Sequence, residues 1–390
     1  MSLVKRIFLI AANALCILLL IIAALVSAHF SGLLRSQQAA EEWRGSNEIR
    51  FAQISALIPE VSAINYDNVR SFRELIDRRL TEASLEAPEE GKLWTDTYSK
   101  AGKLTVKSSR ATADTPALGI GGDYFIFHPH FLSSGSYFSE SDLMNDRVVL
   151  DEELAWKLFG GTDVAGMEVT IDNKPFYIAG VVKRENDFAS VKGGSEGSMI
   201  FLSYDALINL SADDQQSTGI THYEAVIPNV ITGFAKNLVS ENFPAADYEI
   251  VENTGRFGFE RRFSVIGDFG ERSMRVNGVI YPYWENAARY IEDWLALILV
   301  LSMLIVICPI VTSIWLVVRL KKYAGSKRDV IKAAIEKRTD KITRNRYEKR
   351  QEKQRERELA EINEYVDDFN IDSIVSEVLE ETKTNSSNSE

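Results

Sequence analysis

Two histidines come closest to a metal-binding pattern in this sequence. His128 and His130 flank Pro129, and two imidazoles separated by one residue could bind a metal ion. A loop between aromatic strands is the alternative interpretation, and the sequence supplies no third ligand at a defined spacing. Cys16 and Cys308 both lie in apolar runs, so neither can serve a Cys-His site or a disulfide elsewhere. We predict no metal ion and no cofactor.

Carboxylates, serines and glycines also occur in patterns that resemble catalytic motifs. The adjacent acids at 152–153 and 213–214 could act in acid–base chemistry, but no nucleophile is placed near them. Residues 133–135 lack the G-x-S-x-G spacing of a nucleophile elbow. The loop at 193–197 lacks the Lys and the Ser or Thr of a phosphate-binding loop. Solvated helix and loop surfaces explain these patterns, and we predict no catalytic residues and no enzymatic activity.

Two long apolar runs must position everything else in the chain. Residues 7–28 and 294–318 contain no charged side chain. Each run reaches the roughly 20 residues that are needed to cross a hydrocarbon core. We therefore predict two transmembrane helices, at 7–28 and 294–318, which separate a short N-terminus (1–6), a large middle region (29–293) and a C-terminal tail (319–390).

Basic residues at the ends of the two runs predict the orientation of the chain. Lys5 and Arg6 precede the first run, and five Lys or Arg residues follow the second within 319–328. By the positive-inside rule, both termini are cytoplasmic and residues 29–293 are extracytoplasmic. A cleavable signal peptide is the alternative for the first run, because Val26 and Ala28 form an acceptable cleavage site. The first run, however, exceeds the roughly 7–15 apolar residues that are usual in a signal peptide.

The net charge of −12 combines regions of opposite sign. The middle region is acidic, the stretch after the second run is strongly basic, and the end of the tail is acidic again. An acidic outer region does not suggest nucleic-acid binding. The basic stretch lies where anionic head groups of the lipid bilayer would attract it.

The most informative part of the middle region is residues 122–182. It begins with GGDYF and GSYFSESD, which predict an aromatic run and a turn at Gly135. RVVLDEELAWKLFGG predicts a strand at 147–150, an N-cap at Asp151 and a short helix that ends at Gly160. GMEVTIDNKPFYIAGVV predicts a hairpin with its turn at 172–174.

These four segments, in this order, resemble the extracytoplasmic core domain of MacB-type ABC-transporter permeases. That group also includes FtsX-like and lipoprotein-exporting permeases. Residues 199–204 and 223–229 are similar to later strands of the same domain. The resemblance implies an α/β domain of two lobes, and residues 186–252 are predicted to form the smaller lobe.

Periodicity predicts the remaining elements of the middle region. The apolar residues of 51–58 have helical spacing, and Pro59 would end that helix. Ser71 and Glu74 form a possible capping box for a second helix. Residues 94–106 have strand character with a turn at 101–102, and residues 108–116 are polar and predicted to be flexible. In the smaller lobe, we predict a helix over 231–242 that Thr232 caps.

The sequence therefore predicts an α+β protein: two transmembrane helices flank a two-lobed extracytoplasmic α/β domain, and a charged, helical, coiled-coil-like cytoplasmic tail follows. The resemblance implies a non-enzymatic membrane component of an ABC-type export or mechanotransmission system. Permeases of this group carry three further spans after the outer domain, whereas this sequence has one and no Walker motif. We therefore expect a partner ATPase, a partner permease or a homo-oligomer. A two-pass sensor or scaffold that binds an outer ligand or a cell-envelope partner is the alternative.

A small apolar stripe in the tail is the candidate docking site for a partner. Ile374, Val375, Val378 and Leu379 are spaced to share one face of a helix. Isolated helices shorter than about 12–15 residues are marginal in water. The stripe is therefore either frayed within a disordered end or docked into a groove on another chain.

Overall fold

The architecture was analysed in a computed structural model. It describes residues 3–379 except 47, 62–63, 88–90, 143, 212–218, 246, 276–277 and 369–374. The chain divides into two compact units, Met1–Cys308 and Pro309–Glu390.

Strands and helices alternate along the first unit. The helices are α1 (Leu3–Ser31), α2 (Ala39–Arg44), α3 (Tyr66–Glu82), α4 (Tyr124–Phe127), α5 (Glu152–Phe159), α6 (Phe188–Gly193), α7 (Tyr204–Ser211), α8 (Phe234–Asn242), α9 (Phe259–Val265) and α10 (Tyr283–Asp368), the last of which continues into the second unit. The strands are β1 (Phe51–Leu57), β2 (Thr95–Lys107), β3 (Thr112–Gly122), β4 (Phe131–Gly135), β5 (Arg147–Asp151), β6 (Glu168–Ile171), β7 (Lys174–Lys183), β8 (Ile200–Ser203), β9 (His222–Pro228) and β10 (Glu249–Glu252). The predicted α+β class is confirmed.

In the described part of the chain, ten strands form one sheet in the order β10-β1-β9-β2-β3-β8-β5-β7-β4, and β6 pairs with both β2 and β7. The pairs β3–β8 and β5–β7 are parallel, and the other pairs are antiparallel. Because β6 joins β2 to β7, the strands from β2 to β7 close into a ring. An apolar core that includes Leu150, Leu154 and Leu158 lies in this part of the molecule.

The predicted helix at 51–58 is wrong, because these residues form β1. β1 lies between β9 and β10, and all seven of its residues are buried. A strand that is buried on both faces has apolar residues on both, so its pattern can imitate helical spacing. Ala52, Ile54 and Ala56 join one apolar core. Gln53 and Ser55 point to the opposite face, where they bind polar partners.

Two further predictions between residues 94 and 122 are wrong. The expected turn at 101–102 lies inside β2, a continuous strand of 13 residues. The polar stretch expected to be flexible contributes its second half to β3, which pairs with β2 along its whole length. Long strands that face solvent on one side carry polar residues, so composition alone does not separate them from loops.

The helix boundaries also differ from those predicted at two places. α3 begins at Tyr66, and its N-cap is Asn65, which forms a capping box with Asn68 in place of Ser71 and Glu74. α8 begins at Phe234 after Gly233, so Thr232 does not cap it. Local propensity predicted both helices, but tertiary packing set where each begins.

The sheet divides the predicted smaller lobe of residues 186–252. β8 lies between β3 and β5, whereas β9 and β10 flank β1 at the other end of the sheet. The apolar cores follow the same division: α3 and α8 pack with β1 and β9, and α5 and α7 pack with β5, β7 and β8. Segments that are distant in sequence thus share each core.

The elements predicted at residues 147–183 are confirmed. β5 ends at Asp151, whose side chain accepts a hydrogen bond from the Leu154 backbone N–H and so caps α5. α5 ends at Gly160, which has a left-handed conformation (φ 78°). β6 and β7 form the predicted hairpin, and its turn residues Asp172 and Asn173 have positive φ.

Two helices among the described residues are long and apolar enough to cross a membrane: Ile7–Ser31 and a segment of Tyr283–Ile362. They contain the two predicted spans. The second unit begins at Pro309 inside α10. Most of its described side chains as far as Ile362 are exposed, and the others are partly exposed. Residues 375–379 are also helical.

Candidate functional site

A network of buried charges lies where the sheet meets the start of α10. Glu285, Arg289 and Glu292 are spaced at i, i+4 and i+7, so they share one face of this helix just before the second apolar run. Their main partners, Arg256 and Arg272, come from the connection between β10 and α10. All five side chains are buried. We call this set the junction network.

Arg256 is the centre of the junction network. Its Nη1 donates to Glu285 Oε2 at 2.7 Å, and its Nη2 donates to Glu285 Oε1 at 2.8 Å, which is a bidentate pair. Its Nε also donates to Glu292 Oε1 at 3.0 Å. Arg256 is only 3% exposed, and both glutamates are 2% exposed. One guanidinium therefore contacts two buried carboxylates.

Further ion pairs extend the network to the sheet and to the surface. Arg289 donates to Glu285 and also to Glu249, the first residue of β10. Arg272 donates to Glu292, and the half-exposed Arg261 donates to the same carboxylate at 3.2 Å. α10 is thus fixed to the edge strand β10 and to the connection that precedes it.

The chain that leaves α1 is held by the same site. Arg256 Nη1 donates to Gln37 Oε1 at 3.3 Å. The side-chain amide of Gln53, on β1, donates to the Ser36 backbone carbonyl at 2.8 Å and accepts from the Ala39 backbone N–H. The segments next to both apolar runs therefore meet the sheet at one polar site.

A chain of buried hydrogen bonds continues from Arg256 into the sheet. Asn253 Nδ2 donates to Ser55 Oγ at 2.7 Å, and Ser55 Oγ donates to Glu224 Oε1 at 2.6 Å. Glu224 Oε2 lies 2.6 Å from His128 Nε2. Since Arg256 Nη1 also lies 3.4 Å from Asn253 Oδ1, the polar contacts run unbroken from α10 across β1 to β9.

The partners keep the buried carboxylates ionised. Burial alone would raise the pKa of Glu292, but Arg256 and Arg272 outweigh it and lower this pKa to about 2. Burial likewise opposes ionisation of Glu224, and His128 together with the Ser55 hydroxyl lowers its pKa. For Arg256, the two glutamates outweigh burial and raise the pKa, so its charge is permanent. Glu292, Glu224 and Arg256 are therefore charged and paired, so they are not available as a general acid or base.

A second polar cluster holds the first turn of α10 against the other part of the sheet. The Tyr283 hydroxyl donates to Glu185 Oε2 at 3.0 Å, and the same oxygen lies 3.3 Å from His130 Nδ1. These contacts outweigh burial and lower the pKa of Glu185 to about 2. The guanidinium of Arg184 lies over the Tyr283 ring at 5.2 Å. α10 is therefore anchored at both ends of the sheet.

Comparison with known proteins identifies the family of this chain. The family model described as "MacB-like periplasmic core domain" matches residues 10–237, which is more than half of the chain. The chain belongs to this family. The matched domain is the non-catalytic periplasmic core of an ABC permease family.

Individual relatives are distant and partial. The chain is 29% identical over 126 residues to the "Macrolide export ATP-binding/permease protein MacB" of Neisseria gonorrhoeae, and equally to that of Neisseria meningitidis. The matched stretch spans 32% of this chain and only 19% of those proteins.

Two solved structures are also similar. They are the extracellular domain of the ABC-type transporter YknZ from Gram-positive bacteria and the periplasmic region of MacB from Actinobacillus actinomycetemcomitans. The identities are 15% and 16%, with TM-scores of 0.35 for both. The matches cover 51% and 52% of this chain, and 99% and 89% of those chains.

The two histidines that were considered as metal ligands have different partners in the MacB-like domain. His128 pairs with Glu224 and His130 with Glu185, and both imidazoles are buried. In the described ranges, no group of three or more His, Cys, Asp or Glu side chains could hold a metal ion. His128 is thus the partner of the buried Glu224, and His130 is the partner of the partly buried Glu185.

The other candidate patterns also have structural roles. Glu152 accepts from Ser133, and Glu153 pairs with Lys157 one helical turn later. Gly193 lies where α6 contacts α10: a Cβ there would lie 2.4 Å from the Tyr283 carbonyl oxygen. The acids at 213–214 lie outside the described residues.

Sequence reasoning missed the junction network. The segment 254–283 has no clear periodicity, so the sequence predicts only a return path to the membrane for its arginines. A signal was available, because Glu285, Arg289 and Glu292 repeat on one helical face directly before an apolar run. Their partners could not be found, since Glu249 and Arg256 precede the helix by tens of residues and Gln37 lies 219 residues from Arg256 in the chain.

The apolar stripe of the tail remains a prediction. Val375, Val378 and Leu379 are helical and 48%, 55% and 58% exposed, and Ile374 lies outside the described residues. If the stripe docks on a partner, Ile374→Asp with Val378→Asp abolishes cross-linking to that partner and leaves the protein in the membrane. A double variant that retains every partner of the wild type would rule out docking.

Acid should weaken the MacB-like domain through His222. This imidazole is buried against Trp284 and near Glu224, His128 and Glu285, and burial lowers its pKa to about 4. The ordinary pKa of histidine is about 6.5, so between pH 6.5 and 4 the unfolded chain binds a proton that the folded chain does not. We expect this residue to remove up to about 1.4 kcal/mol of stability per pH unit in that window.

Denaturant unfolding of the full chain between pH 7 and 5 checks this expectation. The variant His222→Gln should show a shallower fall of stability with decreasing pH than the wild type. The slope is the readout, because the substitution can also change stability at pH 7. Equal slopes would mean that another group causes the acid sensitivity.

Proposed function

We propose that this chain is a non-enzymatic membrane component of a MacB-like or FtsX-like ABC-type export or mechanotransmission system. It acts with a separate ATPase and with another permease subunit. The observation that carries the proposal is the junction network, which connects the sheet of the outer domain to the segments beside both apolar runs.

The physical chemistry of the network supports transmission of motion. Separating Arg256 from Glu285 and Glu292 would leave buried charges without partners, which costs several kcal/mol. The ion pairs therefore stay closed when the outer end of α10 is displaced, and β10, β1 and β9 move with it. Family membership supplies the ABC context, and the network supplies the coupling.

The proposal includes a two-pass topology with both termini in the cytoplasm and residues 29–293 outside. Two observations support the two paired spans: the apolar helices, and the side chains of Cys16 and Cys308, which interact with each other. Cys16 precedes the end of α1 by 15 residues, and Cys308 follows Trp294 by 14 residues. At about 1.5 Å per residue, both thiols lie at a similar depth in antiparallel helices.

Oxidative cross-linking tests this arrangement. We expect copper phenanthroline to join Cys16 and Cys308 in native membranes, which would protect both thiols from a maleimide polymer after denaturation. The single variants Cys16→Ala and Cys308→Ala are the controls, and each should retain one reactive thiol. Two reactive thiols in the oxidised wild type would contradict the paired spans. A mature chain that starts near His29 would support the signal-peptide alternative.

Purification of the tagged full chain from its own membranes tests the function. The proposal expects an ABC ATPase and a permease subunit in the purified complex, and stimulation of ATP hydrolysis by the intact chain. The variant Arg256→Met should retain these partners, because it lies in the outer domain, but should lose the stimulation. Retention of full stimulation would overturn the coupling role of the junction network.

A sensor or scaffold is the second candidate function, and a cleft favours it. A space of about 590 Å³ lies beside α3 and is lined by Arg73, Trp94, Asp96 and Glu140 among others. This volume is within the range of small-molecule sites. Capture of a specific outer ligand or cell-envelope partner, without any ATPase, would support this function over transport.

A further inference from the structure

A cluster of exposed apolar side chains lies on α9 and on the short 3-10 turn after it. Phe259 is 62% exposed, Phe263 44%, Ile266 37% and Phe269 53%. Phe259, Phe263 and Ile266 are spaced at i, i+4 and i+7, so they share one face, while Val265 on the other side is buried. We call these four residues the α9 patch.

Polar contacts hold the α9 patch at the outer ends of both apolar helices. Arg262 Nη2 donates to Ser31 Oγ, at the end of α1, at 3.4 Å. Arg261 donates to Glu292, and the Gly270 backbone N–H donates to Asp293 Oδ2 at 3.1 Å. Asp293 directly precedes the second apolar run. The patch is therefore fixed beside the level at which both helices would leave the hydrocarbon.

The chemistry of the α9 patch fits a lipid interface. Exposed phenyl groups grouped on one face are unfavourable in water but favourable at the boundary between head groups and acyl chains. Arg261 and Arg262 lie between the phenylalanines and can meet anionic head groups. The patch lies beside the ends of two helices that face lipid in the proposed topology, and this position identifies lipid as the occupant.

We propose that the α9 patch inserts into the outer leaflet and forms a third membrane contact of the chain. This contact fixes the depth and tilt of the MacB-like domain above the bilayer. The inference rests on the proposed two-pass topology. A short interfacial helix of this kind penetrates only about 5–10 Å, so it supplements the two spans and does not cross the membrane.

Lipid quenching of a fluorophore tests the proposal. The full chain, with Cys16→Ala and Cys308→Ala, is placed in nanodiscs of phosphatidylcholine and phosphatidylglycerol that contain lipid spin-labelled near the head group. Bimane is attached to Phe263→Cys and, in a separate variant, to Phe269→Cys. We expect each to be quenched by lipid at least about threefold more than a water-exposed control, as insertion at the boundary requires.

Tyr177→Cys is the matched control, because Tyr177 is also 44% exposed. β7 runs from Tyr177 towards Arg184, whose guanidinium lies over the ring of Tyr283 at the start of α10. Four residues later, Phe188 packs on Phe30 of α1 and Tyr290 of α10. Tyr177 thus lies about 23 Å before Arg184 along the strand, at about 3.3 Å per residue, on the side away from the apolar helices. Its fluorophore should be quenched by iodide in water and hardly by lipid.

A label at Leu304→Cys separates the two levels of the proposal. Leu304 lies in the second apolar run and is 61% exposed. Leu304 lies about 15 Å below Trp294, so lipid that is spin-labelled midway along its acyl chain is used for this position. Without quenching by that lipid at 304, the two-pass topology itself fails. If lipid quenches the label at 304 but iodide quenches the labels at 263 and 269, the patch faces water. The proposed lipid contact is then wrong, while the two-pass topology still holds. Protection of 263 and 269 from both quenchers would overturn lipid insertion and indicate a second protein chain on the patch.

Discussion

Replacing Arg256 by Met is expected to lower the free energy of unfolding of the protein by about 3–5 kcal/mol, the cost of leaving buried charges without their partner. The methionine fills much of the space but offers no donor to Glu285 or Glu292, which are both 2% exposed. Of their remaining partners, Arg289 is shared with Glu249, and Arg272 and the half-exposed Arg261 each reach only one oxygen of Glu292. Denaturant unfolding of the full chain in nanodiscs, followed by tryptophan fluorescence, measures the loss.

Arg261→Met is the matched control for this experiment. Arg261 binds the same carboxylate of Glu292, but its side chain is 46% exposed, so we expect a loss of no more than about 1 kcal/mol. Adding Glu285→Gln to Arg256→Met should recover part of the stability, because one unpaired buried charge is removed. If Arg256→Met and Arg261→Met cost the same, the junction network does not hold α10 to the sheet.

Replacing Gly122 by Ala should cost about 2–5 kcal/mol. Gly122 closes β3 with a φ of 67°, and this left-handed conformation costs a residue with a Cβ roughly 1–2 kcal/mol. A Cβ there would also lie 2.3 Å from the Asp96 carbonyl oxygen, so the paired strand β2 must shift, at a cost of about 1–3 kcal/mol. Thermal or denaturant unfolding of the full chain checks the sum.

Gly160→Ala isolates the conformational part of this cost. Gly160 has a φ of 78° at the end of α5, and no heavy atom outside its immediate chain neighbours lies within 4 Å of the position that a Cβ would take. We expect a loss of only about 1–2 kcal/mol there. A Gly122→Ala protein that is no less stable than Gly160→Ala would show that β2 leaves room for a Cβ at the end of β3.

Local signals in the sequence were sufficient for the part of the fold between residues 147 and 183. Asp151 caps α5, Gly160 ends it, and residues 172–174 turn β6 into β7, because each of these features depends on backbone geometry within a few residues. The order of these elements also indicated the family that the comparison identified. The two apolar runs were evident for the same reason, since a span is a continuous stretch.

The tertiary structure decided what the sequence could not. β1 became an internal strand because β9, about 170 residues later in the chain, and β10, nearly 200 residues later, pair with it on opposite sides. The junction network depends on the same long-range pairing, which brings Gln37, Asn253 and Arg256 to one face of α10. Periodicity reports which residues are buried within one element, but the partner of a buried charge is set by which distant segments the fold brings together.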